Sequence, residues 1–339
     1  MLRIFQQLKQ KLSALLGGQA QQGSGAKDRN FFSRGVLTLP QVFIEESGRV
    51  HFVKLRLHTN QLPYTFDILE ISPELKLATE NPRIGESLHV VDFQCNICGE
   101  LNRDAHFPSV SNRETPSCAA CGSNLRLRSI GYLISKLLFG KSCILKDLPI
   151  RKDLSGIGMS DWQGYATPLA EKTTYTNTFY HQAPQLDITN IEPSQENSFD
   201  FIISSDVFEH IPPPIARSFE NTYRLLKPGG LFIFTVPYTK MGNTLEHFPE
   251  LHDFELIEHA GKPRLVNYTK SGQRQVFDDL IFHGGDGFTL EMRMFSEQSV
   301  LQHLRAVGFS RIQIHTESIA EYGIYWTIDD HLPISAIKG

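Results

Sequence analysis

Ser198-Phe199-Asp200-Phe201-Ile202-Ile203-Ser204-Ser205-Asp206-Val207-Phe208-Glu209-His210-Ile211 decides the fold. Phe199 to Ser204 is short and apolar, which predicts a buried strand rather than a helix face. Polar character returns abruptly at Ser204-Ser205-Asp206, and Glu209-His210 is expected to open the next helix. Downstream, Ile215 to Leu226 has helical spacing and is stopped by Lys227-Pro228-Gly229-Gly230. Leu231 to Val236 then reads as a second buried strand.

Outward from this pair, the chain from Leu125 onward alternates the two kinds of segment. Ile130, Leu133, Ile134, Leu137 and Leu138 make one helix face, ended by Gly140. Leu154 to Met159 reads as a first strand, Tyr165 to Lys172 as a helix and Thr174 to Tyr180 as a second strand. Val300 to Val307 is a helix, and Arg311 to His315 a late strand. The expected fold class is α/β, a doubly wound, mostly parallel sheet. Such a sheet binds its ligand outside the carboxyl ends of its strands. Polar residues gather at those ends: Ser160-Asp161, Asn177-Thr178, Asp187 and Ser204 to Asp206. Gly156-Ile157-Gly158 reads either as a short glycine loop or as close packing of strand on helix.

Cys95-Asn96-Ile97-Cys98-Gly99 and Cys118-Ala119-Ala120-Cys121-Gly122 are two CxxC knuckles with 19 residues between them. That spacing is read as a zinc ribbon. Two intervening residues let one tight turn aim both sulfurs at one ion, and the following glycine permits the positive φ that such a turn uses. Four thiolates close the shell of Zn2+, so the ion held by Cys95, Cys98, Cys118 and Cys121 is expected to be structural. Arg126 and Arg128 follow at once, leaving two roles open: a nucleic-acid grip, or a brace for the helix from Leu125.

The chain has 339 residues, 40% hydrophobic and 21% charged, with a formal net charge of -4. This balance counts against a mainly electrostatic nucleic-acid binder. No apolar run is long enough to span a bilayer, and Gln6, Gln7, Lys9, Gln10 and Lys11 interrupt any export signal. A reducing cytoplasm is therefore expected. The expected organisation is an amphipathic helix and linker over 1–30, a β-rich accessory region over 31–90, the ribbon over 91–125 and an α/β domain over 126–339. The N-terminal helix docks on this protein or on a partner protomer, or anchors weakly at a membrane surface.

The strand-turn quoted first, together with Arg224-Leu225-Leu226-Lys227-Pro228-Gly229-Gly230-Leu231-Phe232-Ile233-Phe234-Thr235-Val236-Pro237, resembles strands four and five of class I S-adenosylmethionine-dependent methyltransferases. The resemblance covers roughly residues 91 to 316. It is best to a subgroup (methyltransferase type 11-like) that carries an N-terminal zinc ribbon and is often tied to surface-polysaccharide biosynthesis. It implies a Rossmann-like methyltransferase fold and S-adenosylmethionine as cofactor. Gly156, Gly158, Ser160, Asp161, Thr178, Asp187, Ile188 and Ser205 are then the cofactor residues. Asp161 would take the methionine ammonium and Thr178 or Asn177 the ribose. Asp187 would take the adenine amine, with Ile188 against the ring. The chain departs from the family in its reduced glycine loop, and in Thr178 where strand two usually ends in a carboxylate.

Methyl transfer to oxygen needs alignment and a base. His210, Glu209, Asp206 and His283 are the candidates, with Glu291 and Arg293 nearby. Asp206-x-x-Glu209-His210 is also similar to a set that holds Mg2+ in some O-methyltransferases, so a divalent cation is a further expectation. Gly284 to Gly287 reads as a mobile lid, and His247, His252, His259 and His315 as packing or surface residues. The leading expectation is O-methylation of a small molecule or glycan, with a homo-oligomer left open. The alternatives are an RNA methyltransferase guided by the ribbon and a scaffold that has kept the fold without the chemistry.

Overall fold

The computed structural model describes residues 90–339, apart from 241 and 284–288, together with four strands in the segment before them. The chain divides into two units, Met1–His89 and Val90–Gly339. In the first, β1 (Val36–Thr38), β2 (Val42–Glu46) and β4 (Thr65–Ile71) each pair antiparallel with β3 (Arg49–His58). The amphipathic helix and linker expected over 1–30 lie outside the described residues.

The second unit begins with the hairpin β5 (Val90–Gln94) and β6 (Leu101–His106), then α1 (Leu125–Leu133). Its centre is a six-stranded sheet built from β7 (Arg151–Met159), β8 (Thr173–Thr178), β9 (Phe199–Ser205), β10 (Leu226–Thr235), β19 (Phe309–Ile314) and β20 (Ile334–Lys338), in the order β19-β20-β10-β9-β7-β8. β7, β8, β9 and β10 run parallel. β20 inserts antiparallel between β10 and β19, a strand that the sequence reading did not foresee. The helices α2 (Gln163–Lys172), α3 (Ala216–Leu225) and α4 (Glu297–Ala306) complete the crossovers. The sheet is thus the doubly wound, mostly parallel, Rossmann-like one that the segment pattern implies.

Period-two alternation in β9 and β10 builds two cores. Ile202, Phe232 and Phe234 face one side, where they pack with Phe219, Val300 and Leu304 of α3 and α4. Phe201, Ile203, Leu231 and Ile233 face the other, with Tyr165 and Leu169 of α2 and Ile130 and Leu133 of α1. Cys95, Ile97 and Cys118 belong to this second cluster, so the cysteine knuckles share one core with the sheet. The Lys227-Pro228-Gly229-Gly230 stretch does not interrupt β10; it lies within the strand, at a register shift between Leu226 and Leu231. Between β10 and α4 the chain inserts several short strands. They are β11 (Tyr238–Thr239), β12 (Leu245–Glu246), the meander β13 (Asp253–His259), β14 (Lys262–Tyr268) and β15 (Arg274–Phe277), the hairpin β16 (Phe282–His283) and β17 (Thr289–Leu290), and β18 (Arg293–Ser296).

Gly156 and Gly158 are not loop residues. They sit inside β7, paired with Tyr175 and Asn177 of β8. A Cβ on Gly156 would lie 2.2 Å from the Phe201 ring, and one on Gly158 would lie 1.9 Å from the Tyr175 hydroxyl. Their hydrogen side chains make room for a ring and a buried polar cluster, so packing, not a cofactor loop, explains both glycines. Gly156→Ala is expected to lower stability by about 1–3 kcal/mol through overpacking. Urea unfolding of the full chain measures it, and an unchanged midpoint would refute the packing role.

Candidate active site

A cavity of about 2030 Å³ opens at the carboxyl ends of β7, β8 and β9. Ser160, Thr178, Asp187, Ile188, Ser205, Asp206, His210 and His283 line it, which brings eight of the expected residues together. The backbone bends sharply there. Ser160 (φ 56°) and Asp206 (φ 53°) follow β7 and β9 in the left-handed region, a conformation costly for residues with a Cβ and common at functional turns. Asp187 Oδ1 accepts from Thr189 N (2.9 Å) and Oγ1 (2.7 Å), while Oδ2 has no protein donor among the described residues. Thr178 Oγ1 donates to Gly158 O (2.6 Å), leaving its lone pairs as acceptors.

Asp161 does not reach the cavity. It is 4% exposed and accepts from Tyr165 (2.7 Å) and Tyr175 (2.6 Å). Burial pushes its carboxyl up to about 7, against the pull of the two hydroxyls. The assignment of Asp161 to the cofactor ammonium is therefore corrected: two inward-pointing tyrosines take its acceptors. Asn177 is likewise committed, exchanging hydrogen bonds with the Asp161 backbone at 2.9 and 2.7 Å.

Asp206 is paired rather than free. Arg113 grips it with two hydrogen bonds (2.8 and 2.7 Å), Arg126 Nε lies 3.1 Å away and Thr235 Oγ1 donates at 2.8 Å. Against the upward push of burial, the two guanidinium groups hold it well below the usual carboxylate range. It is neither an available base nor a metal ligand; it positions arginines. Arg126 also contacts Ser205 and, through Nε (2.9 Å) and Nη2 (2.7 Å), Glu114. Arg113 pairs with Glu114 as well. The segment between the cysteine knuckles and the first turn of α1 thus send a guanidinium pair into the cavity. Arg113 carries no sequence signal, because it lies in a loop without a motif.

Glu209 and His210 do not begin a helix. They occupy a short 3-10 turn (Phe208–His210), and α3 starts only at Ala216, beyond Pro212-Pro213-Pro214. The insert clamps this turn. Arg293, fully buried, donates to Phe208 O (3.0 Å) and Ile211 O (2.6 Å), and Met292 N donates to Glu209 O (2.8 Å). Glu291 then accepts from His283 Nε2 (2.6 Å) and His247 Nε2 (2.7 Å), so His247 is not the isolated residue expected. His210 Nδ1 lies 2.9 Å from Leu290 O. Glu209 is fully buried, and burial pushes its carboxyl upward. The expected lid, 284–287, lies outside the described residues.

The four cysteines converge. Their sulfurs all lie within 4.8 Å of one another, with Cys95–Cys121 at 3.7 Å and Cys98–Cys118 at 3.6 Å. Tetrahedral thiolates at zinc bond length sit about 3.8 Å apart. Gly99 (φ 84°) and Gly122 (φ 71°) adopt the expected positive φ and donate to Cys95 O and Cys118 O. Arg128 supplies an independent argument. It is fully buried, donates to Ser117 (2.9 Å), Ser123 O (2.8 Å), Val110 O (3.2 Å) and Gly323 O (3.0 Å), and has no carboxylate partner among the described residues. Burial draws its guanidinium down to about 10. A doubly negative four-thiolate zinc would supply the counter-charge that such a buried cation lacks. The residues fit the ion. Arg128 is taken up inside the protein, whereas Arg126 lines the cavity in ion pairs with Glu114 and Asp206.

Residues 161–234 match the family described as Methyltransferase domain. The chain is an S-adenosylmethionine-dependent methyltransferase. Among solved structures, an S-adenosylmethionine-dependent methyltransferase from Clostridium acetobutylicum ATCC 824 aligns at 13% identity over 62% of this chain and 98% of its own, with TM-score 0.35. The sugar N-methyltransferase KedS8 from Streptoalloteichus sp ATCC 53650 aligns at 12% identity over 55% and 80%, with TM-score 0.34. The Burkholderia thailandensis 1,6-didemethyltoxoflavin-N1-methyltransferase aligns at 14% identity over 88% and 99%, with TM-score 0.35. No curated protein matches the chain.

The raised Asp161 carboxyl gives a pH signature. Between about pH 4 and 7 the folded state keeps a proton that the unfolded chain has released, so this group's contribution to stability falls as pH rises. Asp161→Asn removes that linkage. The variant is expected to gain stability relative to the parent as pH is raised from 4 to 7, read from urea midpoints. A constant difference would contradict the burial argument.

Proposed function

We propose that this enzyme methylates a hydroxyl of a small molecule or glycan, and that its four cysteines hold a structural zinc in a reducing, cytoplasmic setting. The observation that carries the reading is the cavity at the carboxyl ends of β7, β8 and β9. Its volume exceeds the roughly 300–1,000 Å³ of a single small-molecule pocket, which suits a cofactor beside an acceptor. Asp187 takes the adenine amine through Oδ2, Ile188 packs on the ring and Thr178 accepts from the ribose. The cofactor's carboxylate goes to Arg113 and Arg126, whose guanidinium groups are presently engaged by Glu114, a half-exposed side chain that can yield the place. The Glu209, His210 and His283 cluster faces the acceptor end. Among the described residues no helix is long and apolar enough to cross a membrane.

The chemistry is an in-line displacement. The acceptor oxygen bonds to the methyl carbon as the carbon–sulfur bond breaks, the hydroxyl proton passes to water in the open cavity, and the cofactor leaves as a neutral thioether. Alignment supplies much of the rate, and the buried guanidinium pair fixes one end of the cofactor.

Calorimetry with S-adenosylmethionine on the zinc-replete full chain tests the reading. Micromolar binding is expected, lost in Asp187→Ala and weakened roughly 10- to 100-fold in Arg126→Met, the scale of a charge-assisted hydrogen bond. Glu114→Gln is expected to bind more tightly than the parent. Absence of binding by folded, zinc-replete protein would overturn the reading and leave a scaffold.

A further inference from the structure

Two histidines and a carboxylate meet at the cavity wall in a way that methyl transfer alone does not require. His210 Nδ1 lies against a carbonyl oxygen, which only accepts, so Nδ1 carries the proton and Nε2 is a bare lone pair. His283 Nε2 lies 2.6 Å from the Glu291 carboxylate and donates there, so in the neutral ring Nδ1 is bare. Both bare nitrogens face one atom, Glu209 Oε1, at 3.6 Å from His210 Nε2 and 3.8 Å from His283 Nδ1. Among the described residues neither Glu209 oxygen has a hydrogen-bond partner, although the side chain is fully buried.

Three potential ligand atoms therefore converge, and no hydrogen bond joins them. The separations are too long for a shared hydrogen bond, whose limit is about 3.5 Å. They are close to the roughly 3.4 Å between ligands at about 2.1 Å around one tetrahedral ion. The surroundings hold the atoms ready. Glu291 orients His283, the Leu290 carbonyl orients His210, and Arg293 pins the turn that carries Glu209 and His210. Carboxylate- and carbonyl-backed imidazoles are the usual outer support of metal-bound histidine. His210 and His283 line the cavity, so the remaining coordination positions open towards an acceptor.

We propose that Glu209, His210 and His283 bind a divalent transition-metal ion of the manganese-to-zinc row, which holds and polarises the oxygen of the acceptor. The donor set is two nitrogens and one oxygen. Mg2+ favours an octahedron of oxygens, whereas imidazole suits the later ions. The ligands also differ from the acid-x-x-Glu-His set that the sequence implies: Asp206 is held by two arginines, and His283 arrives from the insert, 73 residues beyond His210. Ion binding rests on the geometry, and only its use in methyl transfer rests on the function proposed above.

The test uses the untagged full chain carrying a single equivalent of zinc, verified by elemental analysis, without S-adenosylmethionine. Mn2+ is titrated and followed by loss of its free-ion paramagnetic resonance signal. One equivalent is expected to bind beyond the ribbon's zinc, with micromolar affinity and no displacement by an equal concentration of Mg2+. Glu209→Gln and His283→Ala are each expected to weaken binding at least 100-fold. His283 is partly exposed, so its replacement should leave the fold intact, as circular dichroism would verify. No second equivalent, binding unchanged in the variants, or equal competition by Mg2+ would each overturn the proposal. Metal binding without cofactor binding would sink the methyltransferase reading but not the metal site.

Discussion

β9 and β10 are covered on both faces, and that double burial governs the rest of the second unit. A strand with no solvent face must be apolar along its length, so Phe201 to Ile203 and Leu231 to Phe234 admit no polar side chain until the strand ends. Chemistry is thereby expelled to the carboxyl edge. The turns that begin there take unfavourable backbone angles at Ser160 and Asp206 and present groups that the interior could not hold. The cavity is where the covering layers stop.

Charge at that edge is managed in closed sets rather than single pairs. Asp206 and Glu114 share Arg113 and Arg126, and Glu291 serves two histidines. A buried charge needs partners on several sides, because removing it from water costs more than one contact returns. Several buried groups depart from this rule. Among the described residues Arg128, Lys338 and Asp161 hydrogen-bond only to neutral partners, and Glu209 has no hydrogen-bond partner. Arg128 lies beside one cluster of metal-ligating atoms and Glu209 belongs to the other.

The strands and the cysteine knuckles were legible because their physics is local. An uninterrupted apolar run, a two-residue knuckle spacing and a glycine after it all act within a few residues. The orientation of Asp161 was not legible. It depends on Tyr165 and Tyr175 pointing their hydroxyls inward, which no spacing rule encodes. β20 was missed because its Ile334–Lys338 run is short and its partners lie about a hundred residues upstream or across the sheet. The pairing of His247 with Glu291 spans 44 residues of irregular insert, and a lone histidine gives no sign of such a partner. The glycines of β7 were visible but ambiguous, since close packing and a ligand loop make the same demand for a missing Cβ.

Arg126 and Arg128 leave the same helical turn in opposite directions, one towards the cavity and the other into the cysteine knuckles. That arrangement bears on inheritance. A domain that merely stands in front of another can be exchanged or shed by recombination at the seam. Here the seam runs through a guanidinium pair, so a cut anywhere between Arg113 and Arg126 divides the cavity wall itself. The knuckles and the sheet are therefore halves of one cavity wall rather than neighbours.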